Sequence, residues 1–193
     1  MVAASFLFAC MGVCVKLAAA TFSAPEIVFY RSAISLLLMF GLMRLRGIGF
    51  ATPNLRHQIF RGASGFVSLL MYFYAIAMLP LATAVTLNYT SPIFLALYFA
   101  AFAGMRLRGG MIVALVIGFV GVVVLLRPTL QAEQLLGGLI ALGSGIVSGL
   151  AYFNVRELGA RGEPEARTVF YFSLFATLCS AAWMLLYEFH PVD

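Results

Sequence analysis

Lys16 is the single lysine of the chain; it stands near the end of a long apolar run, and Glu26 and Arg31 follow at the start of the next. Charged groups at the ends of apolar runs have two readings. Long basic side chains can snorkel to a membrane interface at little cost. Alternatively, Lys16, Glu26 and Arg31 form an ion-paired cluster that closes or lines the outer mouth of a cavity. Two further patterns repeat a polar spacing. Ser64, Ser68 and Tyr72 stand at i, i+4 and i+8, and so do Ser144, Ser148 and Tyr152. That spacing stacks side chains in one narrow stripe along a helix. Facing stripes would give a cavity a neutral polar lining of hydroxyls and phenol faces. The other reading is ordinary interhelical hydrogen bonding, worth about 0.6 kcal/mol per bond in membranes. Asn88, Thr90 and Ser91 precede Pro92, which removes a backbone donor inside an apolar run. They can satisfy the freed carbonyls or meet a solute; Thr86, Asn88 and Ser91 join the cavity candidates.

Other chemistry is poorly supported. No Asp or Glu lies at the middle of any apolar run, which leaves Glu26 as a weak proton carrier. Gly62-Ala63-Ser64-Gly65 matches a short serine-protease pattern, but the only histidines, His57 and His190, sit at run ends where they cannot activate that serine. A retinal receptor needs a lysine on its seventh helix, and Lys16 is on the first. Cys10, Cys14 and Cys179 lie inside apolar runs, without the paired polar spacing of a disulfide framework or zinc site. No catalytic residue, metal or cofactor is expected, and the chain does not read as an enzyme.

The composition explains why polar residues are so few. Of 193 residues, 63% are hydrophobic and 10% charged, and the mean hydropathy is +1.04. A soluble domain has about 45–50% apolar and about 25% charged residues. Soluble enzymes, disordered chains and coiled coils are excluded. The formal charge of +5 serves loop orientation rather than nucleic-acid binding.

Apolar runs of membrane-spanning length recur throughout, at Val2–Ala20, Ile27–Met43, Ile59–Leu79, Leu81–Ala103, Met111–Leu126, Leu135–Val155 and Thr168–Tyr187. Pro25, Pro53, Pro80, Pro128 and Pro164 mark the joints. An all-α integral membrane protein of about seven helices follows. Nine basic residues (Arg44, Arg46, Arg56, Arg61, Arg106, Arg108, Arg156, Arg161 and Arg167) flank the even-numbered connections, against three (Lys16, Arg31 and Arg127) at the odd ones. The positive-inside rule then places the N-terminus in the cytoplasm and Asp193 outside. The first run lacks the leading positive charge of a signal peptide, and reads as a helix entered at or near its start. Gly138, Gly145 and Gly149 share one side of the sixth span, and Gly118 and Gly121 one side of the fifth; small residues there let helices approach closely.

A repeat is also visible. Lys16, Pro25-Glu26 and Phe29-Tyr30-Arg31-Ser32 recur as Arg156, Pro164-Glu165 and Phe170-Tyr171-Phe172-Ser173, at offsets of 140, 139 and 141. Five helices per repeat is an odd number of crossings, so the second copy is inverted. Residues 1–130 form the first repeat, and 131–193 begin a second that lacks three helices. The chain therefore reads as a fragment.

In order along the chain, Gly12-Val13-Cys14-Val15-Lys16-Leu17, Pro25 to Ser32, Tyr72-Phe73-Tyr74-Ala75, Leu79-Pro80-Leu81-Ala82-Thr83-Ala84, Ser91-Pro92 and Gly118-Phe119-Val120-Gly121-Val122 to Arg127-Pro128 resemble the EamA family of the drug/metabolite transporter superfamily. One departure is Gly104-Met105-Arg106, where members usually carry a Gly-Glu-Arg-like turn. The resemblance implies inverted five-helix repeats around a cavity bordered by helices three, four and six. It also implies transport of small metabolites, such as amino acids, by alternating access in a bacterial inner membrane. The alternative is a non-transporting membrane protein, a sensor or an assembly subunit. Expected partners are membrane lipid and a small solute, with a homodimer left open and no nucleic acid.

Overall fold

The computed structural model describes residues 2–102, 104, 109–126 and 132–187. Ala103, Met105, Arg106, Arg108, Arg127, Pro128, His190 and Asp193, which enter the sequence reading, lie outside the described residues, as does Leu130. The described residues form helices α1 (Val2–Ala18), α2 (Ala24–Leu45), α3 (Leu55–Met78), α4 (Leu81–Asn88), α5 (Ser91–Phe102), α6 (Gly109–Leu126), α7 (Ala132–Ala160) and α8 (Glu165–Tyr187), with no strand among them. Five segments are long and apolar enough to cross a membrane, α4 and α5 together making one; α1 and α6 supply shorter apolar stretches. The fold is an all-α membrane protein.

The fourth span differs from the continuous helix expected over Leu81–Ala103. It breaks between Asn88 and Ser91. Pro92 has no N–H and its ring clashes with the carbonyl four residues back, so the ladder cannot continue through this point. Thr90 repairs the break locally: its hydroxyl donates to the Leu87 carbonyl at 2.7 Å, and its own carbonyl receives Ile93 N–H at 2.9 Å. α7 closes over the break. Cβ atoms at Gly145 and Gly149 would stand 3.2 Å from the Leu87 carbonyl oxygen and 3.0 Å from the Leu95 nitrogen, so only glycine lets the two backbones pack this closely.

α2 begins at Ala24, earlier than the apolar run suggests, because Ser23 and Glu26 cap it. Both the backbone N–H and the hydroxyl of Ser23 donate to Glu26 Oε2, at 2.7 and 2.9 Å.

α3 lies at the centre, packed along α7 and against α8; α2 runs along α8, and α4 and α5 lie on α7. Val28, Phe73, Ile76, Leu79, Leu87, Ala141 and Ala176 form the core where these helices meet. Large apolar side chains such as Leu37, Leu38, Val113 and Leu185 face outward, as a hydrocarbon solvent requires.

Polar contacts tie the connections together at each end. At one end Lys16 Nζ donates to the carbonyls of Ile76 and Leu79, at 2.5 and 2.8 Å. At the other, Glu163, buried in the connection between α7 and α8, receives hydrogen bonds from Thr52 and Asn54 in the connection between α2 and α3. Arg167 Nη1 pairs with Glu163 Oε2 at 2.9 Å and Arg167 Nε donates to the Gly49 carbonyl at 2.9 Å. The second and sixth connections therefore share an end.

Candidate functional site

The serine stripes meet because α3 and α7 pack along one another with Ser68 and Ser148 in register. Ser68 Oγ lies 2.5 Å from Ser148 Oγ, and it also bonds the Ser144 carbonyl at 3.1 Å. Asn88, the last residue of α4, donates from Nδ2 to Ser144 Oγ at 2.9 Å; that hydroxyl donates in turn to the Ala141 carbonyl at 2.6 Å. Ser68, Ser144 and Ser148 are buried. A hydroxyl network thus joins α3, α4 and α7.

Beside this network lies a cavity of about 140 Å³. Ser68, Leu69 and Tyr72 of α3 border it, together with Asn88 of α4 and Ser148, Ala151 and Tyr152 of α7. Arg31 reaches it from α2, Arg61 and Gly65 from α3, and Phe172 from α8. The cavity thus gathers Ser68, Tyr72, Asn88, Ser148 and Tyr152 from the candidates named above, and Arg31 from the charge group. Ser144 stands one hydrogen bond behind it. Ser64 turns back onto its own helix, donating to the Phe60 carbonyl at 2.9 Å. Thr86 does the same with Ala82, at 2.7 Å on an exposed face. Ser91 is buried at the helix break and does not border the cavity.

Lys16, Glu26 and Arg31 are placed in three separate environments, and no ion pair joins them among the described residues. Lys16 bonds the end of α3, Glu26 caps α2, and Arg31 borders the cavity. Glu26 is 4% exposed; it is engaged with Ser23 and does not border the cavity.

Arg61 and Phe172 are the charged and aromatic cavity residues that sequence reasoning missed, beside Gly65, Leu69 and Ala151. The guanidinium carbon of Arg61 lies 4.7 Å from the Phe172 ring centroid, a cation–π distance. Gly65, one turn on, makes room: a Cβ there would stand 2.1 Å from Arg61 Nη1. The signal was present, since Arg61 falls inside the apolar run beginning at Ile59 and not in its flank; it counted only toward orientation. The described residues hold no cluster of three or more His, Cys, Asp or Glu suited to a metal. A wider hollow of about 280 Å³ beside Arg56, His57, Phe60 and Asn154 lies nearer the α3 start and lacks the convergence of five helices.

Residues 1–127 match the model of the EamA-like transporter family. The chain is 37% identical over 183 residues to the pseudopaline exporter CntI of Pseudomonas aeruginosa strain UCBPP-PA14, covering 95% of this chain and 64% of that protein. It is 29% identical to an uncharacterized transporter of Helicobacter pylori strain J99, covering 95% of this chain and 62% of the relative. The chain thus spans under two-thirds of the length of these relatives. A solved crystal structure shares the fold at a TM-score of 0.66 and 20% identity, over 95% of this chain and 69% of its own. The chain, an all-α multi-pass membrane protein, belongs to the EamA-like transporter family.

Proposed function

We propose that these helices carry the solute pathway of a small-metabolite transporter working by alternating access in the bacterial cytoplasmic membrane. The observation that carries the reading is the cavity between α3 and α7, where hydroxyl, phenol, amide and guanidinium groups converge inside an otherwise apolar bundle. Polar groups at membrane depth are costly unless paired or functional. Export is the direction we propose, after the printed name of the Pseudomonas relative. The helices act as an inverted repeat, 1–130 and 131–193. In support, α2 and α8, which both open on Pro-Glu, pack along one another.

Cysteine at Ser68 or Ser148, in a full-length protein otherwise free of Cys10, Cys14 and Cys179, is expected to react with a charged methanethiosulfonate reagent. Cysteine at Leu70 or Leu150 is expected to stay inert. A solute identified in vesicle uptake and efflux screens is expected to slow labelling at Ser148. Equal inertness at all four positions would leave the stripes as packing and favour the sensor or assembly-subunit reading.

We also place the N-terminus in the cytoplasm, on the nine-to-three asymmetry of basic residues. A reporter fused after Arg46 is expected to be active as a cytoplasmic fusion, and one after Leu130 as an extracytoplasmic fusion. The reverse pattern would invert the bundle.

A further inference from the structure

Among the described residues the cavity is bordered by two guanidinium groups and no carboxylate. Arg31 stands seven residues into α2 and Arg61 six into α3, each about 10 Å from its helix start. The two helices run in opposite directions, so the arginines enter the cavity from opposite ends of the bundle. The carboxylates whose side chains are described lie elsewhere. Glu26 is held by Ser23, Glu157 pairs with Arg161 at 3.8 Å, Glu163 pairs with Arg167, and Glu165 is exposed. Neither Arg31 nor Arg61 has an ion-pair partner among the described residues.

Arg61 makes the point most sharply. Its Nε and Nη1 are buried and have no hydrogen-bond acceptor among the described residues, while its flat face lies on Phe172. A guanidinium stays charged at any pH the cell reaches, and a buried charge without a partner is strongly unfavourable. An oxyanion is the group whose charge and acceptors match such a guanidinium. The guanidinium fork matches a carboxylate with two parallel hydrogen bonds. Tyr72 borders the same space, and its phenol hydroxyl can donate to the anion, whereas the hydroxyl protons of Ser68 and Ser148 are already engaged in the network described above. At about 140 Å³ the space equals roughly five water volumes of about 30 Å³, enough for the charged end of a small organic anion.

We propose that Arg31 and Arg61 make this cavity an oxyanion site that selects solutes bearing carboxylate groups. The proposal rests on the transport-cavity reading above and names its substrate class.

The test uses the full-length protein in phosphatidylcholine nanodiscs at constant ionic strength, with glutarate, the neutral glutaramide and inorganic phosphate as probes. Thermal stabilisation and protection of a Ser148→Cys label are the readouts. Glutarate is expected to raise the unfolding temperature and protect the label, and glutaramide to do neither. Arg61→Gln and Arg31→Gln are each expected to weaken glutarate binding about tenfold or more, and Arg61→Lys, which keeps the charge but loses the fork, to weaken it less. Because Arg61→Gln removes an uncompensated charge, its ligand-free unfolding temperature is expected to hold or rise, which separates loss of binding from loss of fold. Equal binding of glutarate and glutaramide, or full glutarate affinity in both glutamine variants, would overturn the oxyanion site and leave the transport cavity standing. Stabilisation by phosphate alone would overturn the carboxylate assignment. Stabilisation only when phosphatidylglycerol replaces phosphatidylcholine would make the site a lipid headgroup site and overturn solute selection. A Ser148→Cys label that no probe and no screened solute protects would remove the transport-cavity reading itself.

Discussion

Glu163→Ala is expected to lower the stability of the folded protein by about 3 kcal/mol, and to leave it more sensitive to proteolysis in the connections that Glu163 joins. The carboxylate receives hydrogen bonds from Thr52 and Asn54 and pairs with Arg167 at 2.9 Å; its own side chain is 2% exposed and that of Arg167 15%. Removing one member of a buried pair costs about 3–5 kcal/mol. The lower end applies because Arg167 keeps some water and its bond to the Gly49 carbonyl. Acid should act in the same way. Burial alone would push the Glu163 carboxyl up. The hydrogen bonds from Thr52, Asn54 and Arg167, with the Arg167 charge, outweigh that and hold it below its ordinary value. A depressed folded value means that the stabilisation is complete above the unfolded value of about 4.3. It is lost as pH falls through the lower folded value. Unfolding midpoints in detergent, measured from neutral pH downward, should therefore drop below about pH 4.3, and Glu163→Gln should show a shallower acid limb. An acid limb of wild-type steepness in Glu163→Gln would show that other carboxylates govern it.

Lys16→Met is expected to cost about 1.5–3 kcal/mol, the range for a charge-assisted hydrogen bond, although methionine suits an apolar helix. The reason begins with Pro80. The Ile76 carbonyl would normally accept the N–H of the residue four positions on, and that residue is proline, which has none. Lys16 Nζ fills the place at 2.5 Å and also holds the Leu79 carbonyl at 2.8 Å. A lysine near a helix C-terminus is additionally favoured by the helix dipole. The double variant Lys16→Met/Pro80→Ala offers the Ile76 carbonyl a backbone donor again. Its loss should therefore be smaller than the sum of the single losses. Strict additivity in thermal or denaturant unfolding would show that Lys16 does not serve that carbonyl.

The helices were legible in the chain because what makes them is local. A run of about 20 apolar residues with few charges has one stable form in hydrocarbon, a helix that satisfies its own backbone. The break at Asn88–Ser91 was half legible: Pro92 announced a missing donor, but whether the ladder bends or parts depends on what packs there. Gly145 and Gly149 come from nearly sixty residues away, and they allow α7 to close on the parted strands of the helix.

The site divides in the same way. The i, i+4, i+8 spacing placed Ser64, Ser68 and Tyr72 on one face, and likewise Ser144, Ser148 and Tyr152, since helical period alone decides that. Which members face the cavity was set by the register between α3 and α7, which brings Ser68 onto Ser148 and leaves Ser64 bonded to its own helix. Lys16, Glu26 and Arg31 look alike in the sequence, as charges near span ends. Only tertiary structure separates a helix-end donor, a cap and a cavity cation, because the Lys16 partners lie some 60 residues along the chain. Arg61 was read as a marker of membrane side because the positive-inside rule counts charge without regard to depth. Its place in the cavity is decided by Gly65 and Phe172, which give the guanidinium space and a face to rest on.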